Sequence, residues 1–175
     1  MFYTGKGLKE DIYWPSFQRD EQSMLDPSHS IKLLDDLLTR NKGRKRILLL
    51  EIRKNITTVE YLDNNVPIDT VIEKLESDQL KKALESNFDF RSYSILRHKV
   101  NKKTARKNPF YERYVGWTTE ELFNSIYLKI DSLKTIASIN PEPEHVDKKA
   151  RLMNIYRLMN LLLLHLNKKR TRDND

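Results

Sequence analysis

The chain has 175 residues, 38% of them hydrophobic and 33% charged, with a net charge of +7. That length fits one domain with a sizeable core, and its sixteen aromatic residues exclude a chain disordered throughout. Cysteine is absent, which excludes disulfides and thiolate metal sites and is compatible with a reducing, cytoplasmic location.

Residues 1–29 read as an aromatic-rich N-terminal arm. Gly5, Gly7, Pro15 and Pro27 interrupt them, and Phe2, Tyr3, Tyr13, Trp14 and Phe17 appear without helical period. Packing by those aromatics is the expectation, with partner docking as the alternative. Lys6, Lys9, Glu10, Asp11, Arg19, Asp20 and Glu21 leave no apolar run in this stretch, so it is not read as a secretory signal.

A helical bundle is expected over residues 30–168. Ser28 or Ser30 can cap a first helix with Ile31, Leu34, Leu37 and Leu38 on one side, ended by Gly43. A second helix is predicted from about Arg44 to Asn64, where Leu48, Ile52, Ile56, Val59 and Leu62 recur at spacings of three and four. The run at 47–52 also fits a buried strand, but the pattern outlasts ordinary strand length. After a turn at Asn64, Asn65 and Pro67, a third helix spans about Asp69 to Ser86, with a break near Ser77-Asp78. A short helix from Phe88 to about Val100 should present Phe90, Tyr93 and Ile95 or Leu96. The stretch from there to Gly116 lacks period and reads as loop.

Thr118 to Glu121 has the spacing of a capping box, opening a helix with Leu122, Ile126, Ile130, Leu133 and Ile136 or Ala137 on one face. Asn140-Pro141 ends it. The last helix, from about Glu144 to Lys168, is very apolar: eleven of the fifteen residues from Leu152 to Leu166 are hydrophobic. Its polar residues Asn154, Arg157, Asn160 and His165 fall within roughly 140° of the circumference, so all other sides need covering by this chain or a second copy. The run is too short for a bilayer span and contains Arg157, so no membrane is expected. These elements read as an all-α bundle of about five to six helices with the apolar C-terminal helix at its centre, followed by a basic and polar tail at 169–175.

The charge is segregated. Residues 40–46 hold five basic side chains and no acid, 97–113 hold seven against Glu112, and 168–175 hold four against two. These windows sum to +13, which leaves −6 on the rest. Basic clusters of this kind fit a phosphate backbone, RNA or DNA. The candidate contacts are Arg44, Lys45, Arg46, Lys102, Lys103, Arg106 and Lys107, with Tyr111, Tyr114 and Trp117 able to stack on unpaired bases. The plainer reading is a solvated set of loop lysines, with Trp117 closing the next helix as a staple. Nothing matches a helix-turn-helix, zinc finger or RNP motif.

Chemistry-bearing motifs are scarce. Asp63 to Asp69 has oxygen ligands without the glycine and glutamate of a calcium loop, and Asp35, Asp36 and Glu51 are more often solvated or ion-paired than metal-bound. No metal or cofactor is expected. His29 and His145 read as exposed, and His165 as part of an interior polar network. The segment from Arg91 to His98 (RSYSILRH) is similar to the Arg-x(4–6)-His signature of HEPN-type ribonucleases. That resemblance implies a metal-independent ribonuclease, dimeric and all-helical, with His98 handling protons and Arg91 stabilising the phosphorane charge.

Three functions are therefore expected, in this order. The first is a small intracellular interaction or regulatory module without catalytic activity, self-associating or binding a protein through its last helix. The second is a nucleic-acid-binding protein using 40–46 and 97–113. The third is the ribonuclease.

Overall fold

The computed structural model describes residues 27–60, 62, 66–93, 99–106, 108–139 and 147–167. The arm at 1–26, the tail from 168, and His98, Lys107 and His145 lie outside the described residues. Among the described residues seven helices run in order: α1 (Pro27–Arg40), α2 (Gly43–Glu60), α3 (Ile68–Glu73), α4 (Asp78–Glu85), α5 (Lys102–Ala105), α6 (Thr119–Ile139) and α7 (Lys148–Leu166). Two 3-10 segments, Phe90–Tyr93 and Pro109–Tyr114, flank α5. Among the described residues there is no strand, only one antiparallel bridge between Lys99 and Thr118. The fold is an all-α bundle, and the run at 47–52 is helix.

Several boundaries differ from expectation, each for a local reason. Gly43 does not end α1. Asn41 does, its backbone and side-chain nitrogens both donating to the Leu37 carbonyl at 3.0 and 2.8 Å. Gly43 instead opens α2 with φ +58°, a left-handed turn that glycine adopts without a Cβ penalty. The helix expected across 69–86 is two helices, and α2 holds the break between them. Asn55 clamps the backbone of Glu76, receiving its N–H at 2.6 Å and donating to its carbonyl at 2.7 Å. Glu51, buried on the same face, accepts the N–H groups of Gln79 and Leu80 at 2.7 and 2.9 Å. A carboxylate from another helix thus caps α4, satisfying two donors that the helix start leaves orphaned.

The predicted loop before Gly116 contains α5 and a 3-10 turn. Asn101 caps α5 by accepting from the Thr104 N–H at 2.8 Å, and Asn108 caps the 3-10 turn through the Phe110 N–H, also at 2.8 Å. These elements are too short to leave a hydrophobic period. The helix expected from Phe88 is a 3-10 turn within the described residues.

The capping box forms as its spacing implies. Thr118 Oγ1 accepts from Glu121 N at 3.1 Å, and the Glu121 carboxylate accepts from Thr118 N at 2.6 Å. The Thr118 N–H, and then the Thr118 side chain, hold the Glu121 carboxyl below its usual range. Thr119 Oγ1 then meets His165 Nε2 at 3.0 Å. The start of α6 therefore lies beside the end of α7, and the two helices run antiparallel.

α7 touches α1, α2, α3, α5, α6 and the second 3-10 segment. Its leucines at 158, 161, 162, 163, 164 and 166 are at most 8% exposed within one chain. The dimer expected through this helix loses its premise, since no bare apolar stripe is left on it for a second copy. The polar strip is covered too. Asn160 accepts from Ser30 Oγ at 2.6 Å, His165 meets Thr119, and the Arg157 guanidinium lies 5.6 Å from the Phe110 ring centre. The Asn160 and His165 contacts give those two side chains the interior polar partners expected of His165.

Candidate nucleic-acid interface

The ends of five helices and the first 3-10 turn meet where the basic residues of the α1–α2 corner sit. Arg40 bonds the Asp36 carbonyl at 2.9 Å and the side chain of Asn167, just past α7. Arg44 donates to Ser86 Oγ at 2.9 Å, at the end of α4. Lys45 donates to the Ser92 carbonyl at 2.6 Å, and its ammonium lies 5.8 Å from the Tyr93 ring centre. Arg46 reaches back to the Leu38 carbonyl at 3.3 Å. Tyr93 packs on Phe123 near the start of α6, with ring centres 5.6 Å apart.

Each of these cations is held by a neutral acceptor: a carbonyl, a hydroxyl or an amide. Arg53, Lys54, Lys81 and Lys148, by contrast, pair with carboxylates. Three carboxylates at this end are bonded elsewhere, while Asp36 lies one turn before Arg40 on α1. Glu121 is in the capping box, Asp89 accepts from the Arg91 N–H at 3.0 Å, and Glu85 faces Lys81 at 4.0 Å. Geometry is therefore fixed here without a direct ion pair to Arg40, Arg44, Lys45 or Arg46. The first turn of α2 carries Arg44, Lys45 and Arg46 and no acid, where the helix dipole is already positive and each cation costs stability.

The second sequence cluster divides. Lys102, Lys103 and Arg106 are exposed on and just after α5, while Arg113 lies over the Phe110 ring at 4.0 Å. Stacking on bases by Tyr111 and Tyr114 is ruled out by burial, since they are 2% and 3% exposed. Burial also pushes both phenols above their usual pKa. Trp117 is half-buried, edge-on to Tyr114 at 4.8 Å, and belongs to the same packed cluster. Reading a loop here hid that Tyr111 and Tyr114 are core.

Arg91 is exposed in its 3-10 turn, and its expected companion His98 lies outside the described residues. The carboxylates weighed as metal ligands separate. Asp35 pairs with Arg53 at 3.0 Å, Asp69 with Lys148 at 2.6 Å, and Glu51 caps α4. Among the described residues no group of three His, Asp or Glu side chains comes together. None of the described helices is long and apolar enough to cross a membrane. Ser86, Ser92, Tyr93 and Asn167 carry no sequence signal for their role in anchoring the basic corner. Comparison with family models, curated proteins and solved structures gives no match.

Proposed function

We propose that the chain binds the sugar-phosphate backbone of nucleic acid through the bundle end that carries Arg40, Lys42, Arg44, Lys45 and Arg46. One observation carries this reading: four of these cations are positioned by neutral acceptors, so their charge is oriented without a direct ion pair. A phosphate oxygen is the complement of such a surface, because neutralising it releases condensed counterions. The crowding of cations at the positive end of α2 supports the same reading, being a stability cost that a polyanion would offset.

With Tyr111 and Tyr114 in the core, recognition rests on backbone charge and not on base stacking. That makes the expected binding insensitive to sequence. Fluorescence anisotropy with a labelled RNA and a labelled DNA tests it. The variant Lys42→Gln/Arg44→Gln/Arg46→Gln should lose at least tenfold in affinity while remaining folded by circular dichroism. Equal affinity of a folded variant and the wild type would overturn the proposal.

A further inference from the structure

Three windows of the sequence hold the excess positive charge: 40–46, 97–113 and 168–175. The fold brings described residues of the first two to one end of the bundle, and the third begins there. Thr119, at the start of α6, meets His165 in the last turn of α7 at 3.0 Å. Just beyond it, Asn167 bonds Arg40 at the end of α1. A second route runs through the rings: Lys45 contacts Tyr93, and Tyr93 packs on Phe123, about one turn after Thr119. Thr118 in turn bridges Lys99, the approach to α5. The residues that follow Asn167 are Lys168, Lys169 and Arg170. α7 touches both α1 and α6, and packed helices lie about 8–10 Å apart, so the end of α1 and the start of α6 are separated by at most about 20 Å.

The second cluster is held in place by backbone bonds. The Val100 N–H donates to the Trp117 carbonyl at 2.7 Å, and the Gly116 N–H donates to the Val100 carbonyl at 2.8 Å. Thr104 and Ala105 are buried, so one side of α5 faces the core, against α7 and the second 3-10 segment. Lys102, Lys103 and Arg106 are left exposed, and α5 contains no acid. Lys99 differs, because it interacts electrostatically with Glu121. The displayed charge is therefore that of Lys102, Lys103 and Arg106. The gap between the clusters selects the kind of anion. About 20 Å exceeds the screening length of about 8 Å at physiological salt, so a small anion at one cluster does not feel the other. A polymer does. A duplex carries a phosphate about every 3.4 Å along each strand, so roughly six base pairs bridge the gap.

We infer that one nucleic-acid molecule lies across this end of the bundle, held by Lys102, Lys103 and Arg106 as well as by the α1–α2 corner. The inference rests on the proposed function and extends its footprint to a second set of phosphate contacts. The test is the salt dependence of affinity for a duplex of about 24 base pairs, roughly 80 Å long. Lys102→Gln/Lys103→Gln/Arg106→Gln should flatten the log–log slope by about 2.7, in addition to the share carried by the α1–α2 corner. Its affinity should fall about tenfold at physiological salt with no change in melting temperature. Combined with Lys42→Gln/Arg44→Gln/Arg46→Gln, the two losses of slope should add to about 5.4, because both clusters act on one ligand. Lys32, Lys74 and Lys149 are exposed away from this end. Changing those three to Gln should leave the slope within about 0.5 of wild type. If the α1–α2 variant flattens the slope and the folded α5 variant does not, the inference fails and the proposed function stands. If neither does, both fail. Equal flattening by the Lys32, Lys74 and Lys149 changes would also overturn the inference, by making net charge alone the cause.

Discussion

Lys45 and Tyr93 grip one another at two points. The Tyr93 hydroxyl donates to the Lys45 carbonyl at 2.7 Å, and the Lys45 ammonium lies 5.8 Å from the Tyr93 ring centre. The backbone bond pins the 3-10 turn to the first turn of α2, and the ring contact aims the ammonium. Tyr93→Phe keeps the ring and deletes the hydroxyl. It should cost about 1 kcal/mol in urea unfolding and weaken nucleic-acid binding less than threefold, because the charge itself remains. A loss of binding as large as that from removing Lys45 would assign the hydroxyl a direct role instead.

Stability and binding should move in opposite directions at the start of α2. Lys42 is exposed and immediately precedes Gly43, the first residue of the helix. Lys42→Asp exchanges an unfavourable charge for a favourable one beside the positive end of the dipole, worth up to about 1 kcal/mol of added stability. The same change should reduce affinity for nucleic acid severalfold. Thermal melts and anisotropy on one preparation check both signs.

Glu51 makes stability depend on pH. Burial raises its carboxyl above the ordinary 4.5, outweighing the lowering by its bonds from Gln79 and Leu80. The folded state therefore binds this proton more tightly than the unfolded state does. Its contribution to stability should fall as pH rises from about 4.5 through the raised folded value, then level off. Urea melts of wild type and Glu51→Gln between pH 4 and 7 isolate the effect. The wild-type value minus the variant value should decline across that window; a difference that grows with pH would show the bonds outweighing burial.

The long helices were legible because their apolar residues recur over three or more turns, as in Leu48, Ile52, Ile56 and Val59, and Thr118 with Glu121 marked the start of α6. The short elements were not, since four to six residues cannot display a period. Tyr111 and Tyr114 were misplaced for that reason: within a presumed loop a tyrosine reads as exposed. The trans caps were invisible too. Nothing local distinguishes Glu51 from Asp35, although one is buried against α4 and the other faces Arg53 near the surface. At the candidate site the sequence located the cations but not their anchors, because Ser86, Ser92 and Asn167 act through tertiary proximity alone.

Burial of Tyr111 yields its own test. Tyr111→Phe should leave nucleic-acid affinity unchanged within twofold, whereas Tyr111→Ala should destabilise the fold by about 3–5 kcal/mol through the cavity it opens. A folded Tyr111→Ala protein with selectively weakened binding would return that ring to the interface.

The most direct test of the proposed function is the salt dependence of nucleic-acid affinity. About five phosphate contacts at the α1–α2 corner predict a log–log slope near −4.5 on a duplex. The Lys42→Gln/Arg44→Gln/Arg46→Gln variant should flatten it by about 2.7, close to 0.9 for each charge removed. A wild-type affinity indifferent to salt, or an identical slope for the folded variant, would contradict the account.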